Sequence, residues 1–508
     1  MNWLKNNWLI IFILLISLFL RTYRIGETMT FLEDEGRDLL IAKRMIDTGR
    51  PVLLGPQTST GNMYLGPLYY YFITPALYLS GMNPVGPAVL IALSGVLTTY
   101  LLYILGRKWF GNTSGYLAAV MFACLPFSVA VTRSSWNPNL VPLVSVLMLI
   151  VYDRIITNKQ MKWSDWLFHG MLIGIMIQLH YMALIFCGVL SLSLAWNKRR
   201  EFLTLLRGVA ISFLGLFIML LPFIVFEIRN DWVNTTALTR FMLAKEERNI
   251  RYDLPAWLWW DKVSKTSYRL IGNTLIGSEM GGQTQTPLVV SGLLILLVIS
   301  STLSFIKKES SYLRLIVLLI GSLAVVGIYQ ENIHMHYLEY GIPLIILAIT
   351  GINGLKISQL ISYSSIVFII LIIGLGSARS LGYIRSGATH QAEKAKLVSD
   401  YIVRQAGDKP YNVVSTQGMY TTPFQYFLAI SSHRPSNKLE STIFDICAGS
   451  PCPEDDQTTT LLFLTGPGHP AISNYLGHPE INDFAGKRKI ISNEHVSYGL
   501  WVAEIVLE

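Results

Sequence analysis

The sequence predicts a polytopic α-helical membrane protein with about eleven transmembrane helices and a C-terminal α/β domain outside the membrane. Hydrophobic residues make up 52% of the 508 residues and charged residues only 14%, whereas a soluble protein carries roughly a quarter charged residues. Apolar runs near the length of a bilayer-crossing helix recur between Trp8 and Ser377. The remaining tail is polar, with one stretch of helical spacing, HQAEKAKLVSDYIVRQA, and short runs of β-branched and aromatic residues.

The apolar runs give the candidate spans. The first run has no small-residue cleavage site after it, so we expect it to remain as an anchor rather than to be removed as a signal peptide. The stretch WLFHGMLIGIMIQLHYMALIFCGVLSLSLAW allows either one long span or two short helices. The expected spans are 8–23, 86–106, 114–131, 139–153, 167–179, 182–196, 209–226, 287–306, 315–329, 337–352 and 361–377.

The distribution of basic residues predicts the orientation. If the N-terminus lies inside, the short inner loops hold most of the lysines and arginines, and the short outer loops hold little beyond Arg133. Basic loops flank the ambiguous stretch on both sides, so it should form two short helices that meet near His180 and Tyr181. The formal charge of +8 is explained by these inner loops, and nucleic acid is not expected as a partner.

This orientation places three long segments on the outer side, which are 24–85, 227–286 and the tail 378–508. The inner loops are all short. The asymmetry predicts that the protein functions on the extracytoplasmic face of the cell membrane, with a transmembrane domain at 1–377 and a separate α/β domain at 378–508. A disulfide between Cys447 and Cys452 is plausible in such a tail.

An acidic stretch follows the first span. FLEDEGRDLL, residues 31–40, holds four carboxylates and one arginine. TFLE, residues 30–33, fits a capping box followed by a helix that lies along the membrane surface. Amide groups in the first turn of a helix favour ionised carboxylates, and such a group can serve as a general base. Acidic residues at this position are also common for stability alone, so both interpretations are open here.

The next outer stretch, TSTGNMYLGPLYYYFITPALYL, has a Gly-Pro turn followed by three tyrosines, Tyr69 to Tyr71. Aromatic residues often line the membrane interface without further function. That interpretation suits Tyr78 better than it suits a tyrosine triplet directly after a turn.

With these residues the chain resembles the GT-C glycosyltransferases, specifically the protein O-mannosyltransferase and aminoarabinose transferase group. One span, DEGRDLLIAKRM, GPLYYYF, a multi-span core and a soluble tail follow in that family's order. The family's motif, often DE-x-R-Y, matches Asp34, Glu35 and Arg37, while Asp38 stands where tyrosine is usual. LPFIVFEIRNDWVNT and HMHYLEYGIPLIILAITGI resemble further segments of the family. The lysine that aminoarabinose transferases carry before their proline pair is absent from YLGPL.

The resemblance implies inverting transfer of a hexose or pentose from a polyprenyl-phosphate donor to a glycan, lipid or protein acceptor. It implies Asp34 as the base, with Glu35 beside it, and no cofactor is expected. The sequence has no aspartate-rich metal signature such as DxD, so a metal ion is not required. Donors or cations must also stabilise the leaving phosphate. The candidate substrate-binding residues are Arg37, Tyr64, Tyr69, Tyr70, Arg133, His180, Tyr181, Arg229, His336 and Tyr337.

Other interpretations compete with these assignments. Arg133 could be a cation that snorkels at the membrane edge, Arg229 could pair with Glu227, and His180 could be a core histidine. A flippase or transporter of lipid-linked glycans is the main alternative function, and it predicts paired charges within the membrane and two similar halves. A membrane-anchored sensor would explain the tail but not the acidic stretch.

Overall fold

A computed structural model describes residues 2–58, 63–158, 160–243, 255–277, 286–329, 332–355, 359–415, 421–436, 442–448, 462–463 and 488–507. The chain divides into two compact units. The first unit comprises 1–23, 52–69 and 89–387, and the second comprises 24–51, 70–88 and 388–508. The second unit therefore combines segments from the first outer loop with the tail, and the predicted domain boundary near residue 377 stays a prediction.

The helices are, in chain order, α1 (Asn2–Thr22), α2 (Ile25–Thr28), α3 (Glu33–Thr48), α4 (Leu68–Leu79), α5 (Val85–Phe110), α6 (Asn112–Cys124), α7 (Pro126–Val131), α8 (Val141–Thr157), α9 (Trp163–Leu179), α10 (Leu184–Lys198), α11 (Phe202–Arg229), α12 (Val233–Leu243), α13 (Ala256–Ile276), α14 (Thr286–Lys307), α15 (Ser310–Val326), α16 (Gly341–Gly351), α17 (Gln359–Ser386), α18 (Gln391–Ala406) and α19 (Thr422–Ile430). The strands are β1 (Tyr411–Ser415), β2 (Thr442–Ala448), β3 (Leu462–Phe463), β4 (Arg488–Ser497) and β5 (Leu500–Leu507).

The first unit is helical, and each expected span falls on one of its helices, with the span at 114–131 divided between α6 and α7. Six helices in the described part of the chain are long and apolar enough to cross a membrane, and three further apolar helices are shorter. Helices α11 and α17 have 28 residues each and would extend about 42 Å, more than the hydrocarbon core requires. The polytopic helical class is confirmed, and the count of eleven spans stays a prediction.

The surface of these helices suits a lipid environment. On α11 and α14 large apolar side chains point outward, including Phe213 at 65% exposure and Leu288 at 80%. In water such a surface would be unfavourable, because apolar area exposed to water raises the free energy of the folded state. Within a bilayer the same side chains contact lipid.

The ambiguous stretch folds as two helices. Helix α9 ends at Leu179, His180 is extended, and one turn of 3-10 helix at Tyr181–Ala183 precedes α10. The His180 ring nitrogen Nδ1 accepts the Met182 N–H at 3.2 Å, which caps this turn. The predicted break at His180 and Tyr181 is confirmed.

The second unit contains a five-stranded sheet in the order β3-β1-β2-β5-β4. Strands β1 and β2 are parallel, whereas β5 pairs antiparallel with both β2 and β4. Helix α18 packs against β4 and α19, and α19 packs against α3. The predicted α/β tail is confirmed in this sheet and its helices. The proposed disulfide lies outside the described residues because Cys452 does.

Candidate active site

The acidic stretch forms the start of α3, but its cap differs from the predicted one. Helix α3 begins at Glu33, and its cap residue is Leu32, whose N–H donates to Glu35 Oε2 at 3.0 Å. The capping box expected at residues 30–33 is therefore wrong. The physical reason is that Glu33 is engaged elsewhere, since its Oε2 accepts the N–H groups of Thr421 at 2.9 Å and Thr422 at 3.3 Å.

Arg37 lies between two carboxylates on one side of α3. Its Nη1 donates to Asp34 Oδ1 at 2.6 Å, and its Nε and Nη2 donate to Asp38 Oδ1 at 2.9 and 2.6 Å. The two partners differ in access, because the Asp34 side chain is 43% exposed whereas that of Asp38 is fully buried. Asp34 is thus the carboxylate that is both held in place and open to a substrate.

The buried neighbours set the electrostatics of this acid cluster, which we define as Asp34, Glu35, Arg37, Asp38 and Tyr70. Burial raises the pKa of Glu35 to about 7. Burial also raises the pKa of Asp38 to about 7, although the Arg37 guanidinium acts in the opposite direction. The Tyr70 hydroxyl is buried beside Asp38, and burial holds the pKa of Tyr70 well above its usual value. Tyr70 therefore stays a neutral donor beside Asp38.

Residues from the tail contact the segment that leads into the acid cluster, and the sequence analysis did not predict these contacts. The Phe31 N–H donates to Gln391 Oε1 at 2.7 Å, and Thr422 Oγ1 donates to the Glu33 carbonyl at 2.6 Å. The Phe31 ring packs edge-on against Phe427, 5.8 Å between centroids. The sequence analysis treated Asp38 only as a departure from the motif and did not predict its ion pair with Arg37. The adjacent opposite charges of the two residues were the signal for this pair.

In the first unit, the predicted residues Tyr64 and Tyr181 lie in one hydrogen-bond network. The Tyr181 hydroxyl donates to the Tyr64 carbonyl at 2.6 Å, and Asn234 both accepts from the Tyr64 N–H and donates to its carbonyl. Glu227 accepts the N–H groups of residues 234 and 235, at 3.2 and 2.7 Å. Arg229 is exposed at the end of α11.

The structure also brings His180, His336 and Tyr337 together. The His180 ring lies 4.7 Å from Tyr337 and 5.7 Å from His336, and the His336 ring lies 4.4 Å from Trp136. Burial lowers the pKa of His180 to about 4 and of His336 to about 3. Both rings are therefore neutral at pH 7 and offer hydrogen bonds rather than charge. Nearby in sequence, Glu339 is fully buried, and its oxygens have no hydrogen-bond partner among the described residues.

Tyr69 and Arg133 are buried in the first unit. The Tyr69 hydroxyl and the Ser135 hydroxyl lie 2.9 Å apart. Arg133 donates to the backbone carbonyls of Leu20 and Tyr23, at the end of α1. These contacts show a structural task for Arg133, and its predicted contact with substrate stays a prediction.

A metal site is not apparent in the described ranges. Among those residues, no group of three histidine, cysteine, aspartate or glutamate side chains could hold a metal ion. The acid cluster itself pairs its carboxylates with an arginine and with backbone amides.

The sequence and the structure of this chain are similar to those of known proteins. Residues 65–226 match the family model of dolichyl-phosphate-mannose-protein mannosyltransferases. The crystal structure of ArnT from Cupriavidus metallidurans bound to undecaprenyl phosphate is similar over 98% of both chains, with 10% identity and a TM-score of 0.58. The archaeal oligosaccharyltransferase AglB from Archaeoglobus fulgidus, in complex with an inhibitory peptide and a dolichol-phosphate, matches over 84% of this chain and 64% of its own, with 14% identity and a TM-score of 0.50.

No curated protein sequence matches this chain. The structural similarity and the family model agree, and they confirm the resemblance drawn from the motifs. The chain is a multi-pass membrane protein with the GT-C fold.

Proposed function

We propose that this protein is a membrane glycosyltransferase, which transfers a sugar from a polyprenyl-phosphate donor to a glycan, lipid or protein acceptor on the extracytoplasmic face of the cell membrane. The observation that carries the proposal is the geometry of Asp34. Its carboxylate is held by Arg37 at 2.6 Å and is 43% exposed, in a chain with the GT-C fold. The undecaprenyl phosphate in ArnT and the dolichol-phosphate in AglB support the lipid-linked donor.

In this proposal Asp34 is the general base. The acceptor hydroxyl or amine attacks the anomeric carbon of the sugar while Asp34 takes its proton. The bond from that carbon to the phosphate oxygen breaks, and its electron pair stays on the lipid phosphate. Attack from the face opposite to the leaving group inverts the anomeric carbon. Arg37 orients Asp34 for this proton transfer.

Glu35 was predicted as catalytic together with Asp34, and its geometry supports a positioning role. Its side chain is buried and accepts the Leu32 N–H at 3.0 Å, which fixes the start of α3. Asp38 likewise positions Arg37, whose Nε and Nη2 donate to it. Asp34 is thus the carboxylate of the acid cluster that we expect to contact the substrate.

Stabilising the leaving phosphate requires hydrogen-bond donors or cations. Arg37 has little charge to offer, because two carboxylates already surround it. Arg229 is an exposed cation, and we propose it as a phosphate contact. We propose Tyr64, Tyr69, Tyr70, Arg133, His180, Tyr181, His336 and Tyr337 as further substrate-binding residues, with the neutral histidines acting as hydrogen-bonding groups.

The test is the replacement Asp34→Asn in the native host. Loss of a general base typically costs about 10²- to 10⁴-fold in rate, so we expect a polyprenyl-phosphate sugar to accumulate and a surface glycan to lose one residue. Mass spectrometry of extracted lipids and of surface glycans measures both. Asp47→Asn is the matched control, because Asp47 lies on the same helix and pairs with Lys43 at its far end. Profiles of Asp34→Asn that match the wild type would contradict the proposal.

A further inference from the structure

A groove in the first unit lies apart from every residue assigned above. It has a volume of about 570 Å³ and runs along α1 and α5. Apolar side chains form most of its length, and the basic residues Arg107 and Lys108 lie in its lining where α5 ends. The apolar and aromatic part of the lining includes Ile10, Leu14, Tyr100, Tyr103 and Ile104.

The apolar part of the groove is open on the outer surface of α1 and α5. Tyr100 is 38% exposed and Ile104 is 39% exposed, and both lie on α5, which is apolar enough to cross a membrane. In a bilayer such a groove is filled by hydrocarbon, because apolar side chains offer water no hydrogen bonds and their contact with water is unfavourable.

One end of the groove is basic. Arg107 Nη1 donates to the Tyr103 hydroxyl at 3.2 Å, and its guanidinium lies 5.9 Å from the centre of the Tyr103 ring. This contact orients the guanidinium while using one of its five N–H groups, which leaves a planar set of donors suited to phosphate oxygens.

The two basic residues at this end differ in whether a carboxylate neutralises them. Lys108 pairs with Asp153 at 2.5 Å, and Asp153 also accepts the indole N–H of Trp109 at 2.7 Å. Arg107 is exposed, and its contacts at Tyr103 are with a neutral group. Among the described residues of the lining, the net positive charge therefore resides on Arg107, at the end where the apolar walls stop.

We propose that this groove binds an anionic phospholipid, with its phosphate on Arg107 and one acyl chain along Ile10, Leu14 and Ile104. A net negative headgroup is preferred because a zwitterionic headgroup brings its own cation next to Arg107 and Lys108. The proposal does not depend on the proposed transfer reaction.

Native mass spectrometry of the full-length protein in detergent tests this inference. Dioleoyl phosphatidylglycerol and dioleoyl phosphatidylcholine are titrated separately, and the dissociation constant of the first bound lipid is measured. We expect phosphatidylglycerol to bind at least fivefold more tightly, and Arg107→Gln to abolish that preference. Arg200→Gln is the control, because Arg200 is an exposed arginine outside the groove, and it should retain the preference.

A second variant addresses the apolar part. Ile104→Trp fills the groove from an exposed position on α5, and we expect it to weaken phosphatidylglycerol binding at least fivefold with Arg107 intact. Equal binding of the two lipids to the wild type overturns the proposal, as does an unchanged preference in Arg107→Gln. A dimer that Ile104→Trp converts to a monomer would show instead that a second copy of the chain covers the groove.

Discussion

At the scale of single residues, Arg37 is the centre of the acid cluster. It is 8% exposed and balances the charge of Asp38, which has no access to solvent. A buried charge that loses its partner is strongly destabilising, whereas removal of both charges is often tolerated. This asymmetry makes the pair testable.

We predict that Arg37→Gln lowers the stability of the protein by up to about 3 kcal/mol at pH 7.5, because Asp38 must then either stay charged without its partner or take up a proton. The double variant Arg37→Gln/Asp38→Asn should recover most of this loss. Thermal unfolding in detergent, followed by the fluorescence of the intrinsic tryptophans, measures both. If the double variant is no more stable than Arg37→Gln, Asp38 is not the group that Arg37 compensates.

Glu35 gives a prediction about pH. Burial raises its pKa from 4.5 to about 7. Between these two pH values Glu35 is therefore protonated in the folded state and ionised in the unfolded state. Stability must therefore fall as pH rises from about 4.5 to about 7, by up to about 3 kcal/mol for this one group.

Glu35→Gln removes this ionisation while an amide oxygen can still accept the Leu32 N–H. We expect its thermal midpoint to change less between pH 5 and pH 7.5 than that of the wild type, and to exceed the wild type at the upper end. Parallel curves for the two proteins over this range would show that Glu35 does not titrate with a raised pKa.

At the scale of elements, the contact between α3 and α19 holds the acid cluster in place. Gly36 faces the start of α19 so closely that a Cβ atom at this position would lie 2.5 Å from Thr422 Oγ1 and 2.6 Å from the Pro423 nitrogen. Glu33 accepts the amide groups of Thr421 and Thr422 in the same contact. The two helices can therefore approach only while residue 36 lacks a side chain.

We predict that Gly36→Ala forces α3 and α19 apart and costs about 1–3 kcal/mol, the usual penalty for overpacking. Because Asp34 lies two residues away, transfer should fall together with stability. Gly382→Ala is the control, since a Cβ atom there meets no atom within 4 Å. The measurements are the thermal midpoint and the surface glycan profile. A Gly36→Ala variant as stable and active as Gly382→Ala would show that this contact does not position the acid cluster.

The same elements show what the sequence could and could not predict. The spans, the break at His180 and the start of α3 near the acidic residues were predictable, because hydropathy and polar interruptions act over a few neighbouring residues. The partners of Glu33 were not, since Thr421 is 388 residues away along the chain. No local pattern reports such a contact, and for the same reason the predicted cap at residues 30–33 was wrong.

Long-range contacts of arginines were hidden in the same way. Arg21 reads as a basic residue at the end of the first span, yet its side chain is fully buried and donates to the carbonyls of Phe122 and Ala123. Arg133 likewise donates to carbonyls of Leu20 and Tyr23. The sequence shows that these residues are charged, and only the packing of α1 on α6 and α7 shows which groups they bind.

At the scale of the whole molecule, the proposed function requires a defined orientation in the membrane. The basic loops predict that the loop after α10 is cytoplasmic and that the tail is extracytoplasmic. Single cysteines can report on this, because the native residues Cys124 and Cys187 are buried. Cys447 and Cys452 must be replaced by serine first, so that the tail carries no other thiol.

In that background we predict opposite labelling of two exposed positions, Arg200→Cys after α10 and Gln405→Cys at the end of α18. A membrane-impermeant maleimide should label Gln405→Cys in intact spheroplasts, and it should label Arg200→Cys only after the membrane is permeabilised. The reason is that the reagent reaches only thiols on the outer face. Labelling of Arg200→Cys in intact spheroplasts would reverse the orientation. Labelling of both positions in intact spheroplasts would place the loop after α10 and the tail on the same side of the membrane. The predicted orientation would then be wrong, and the extracytoplasmic transfer proposed for Asp34 would lose its support.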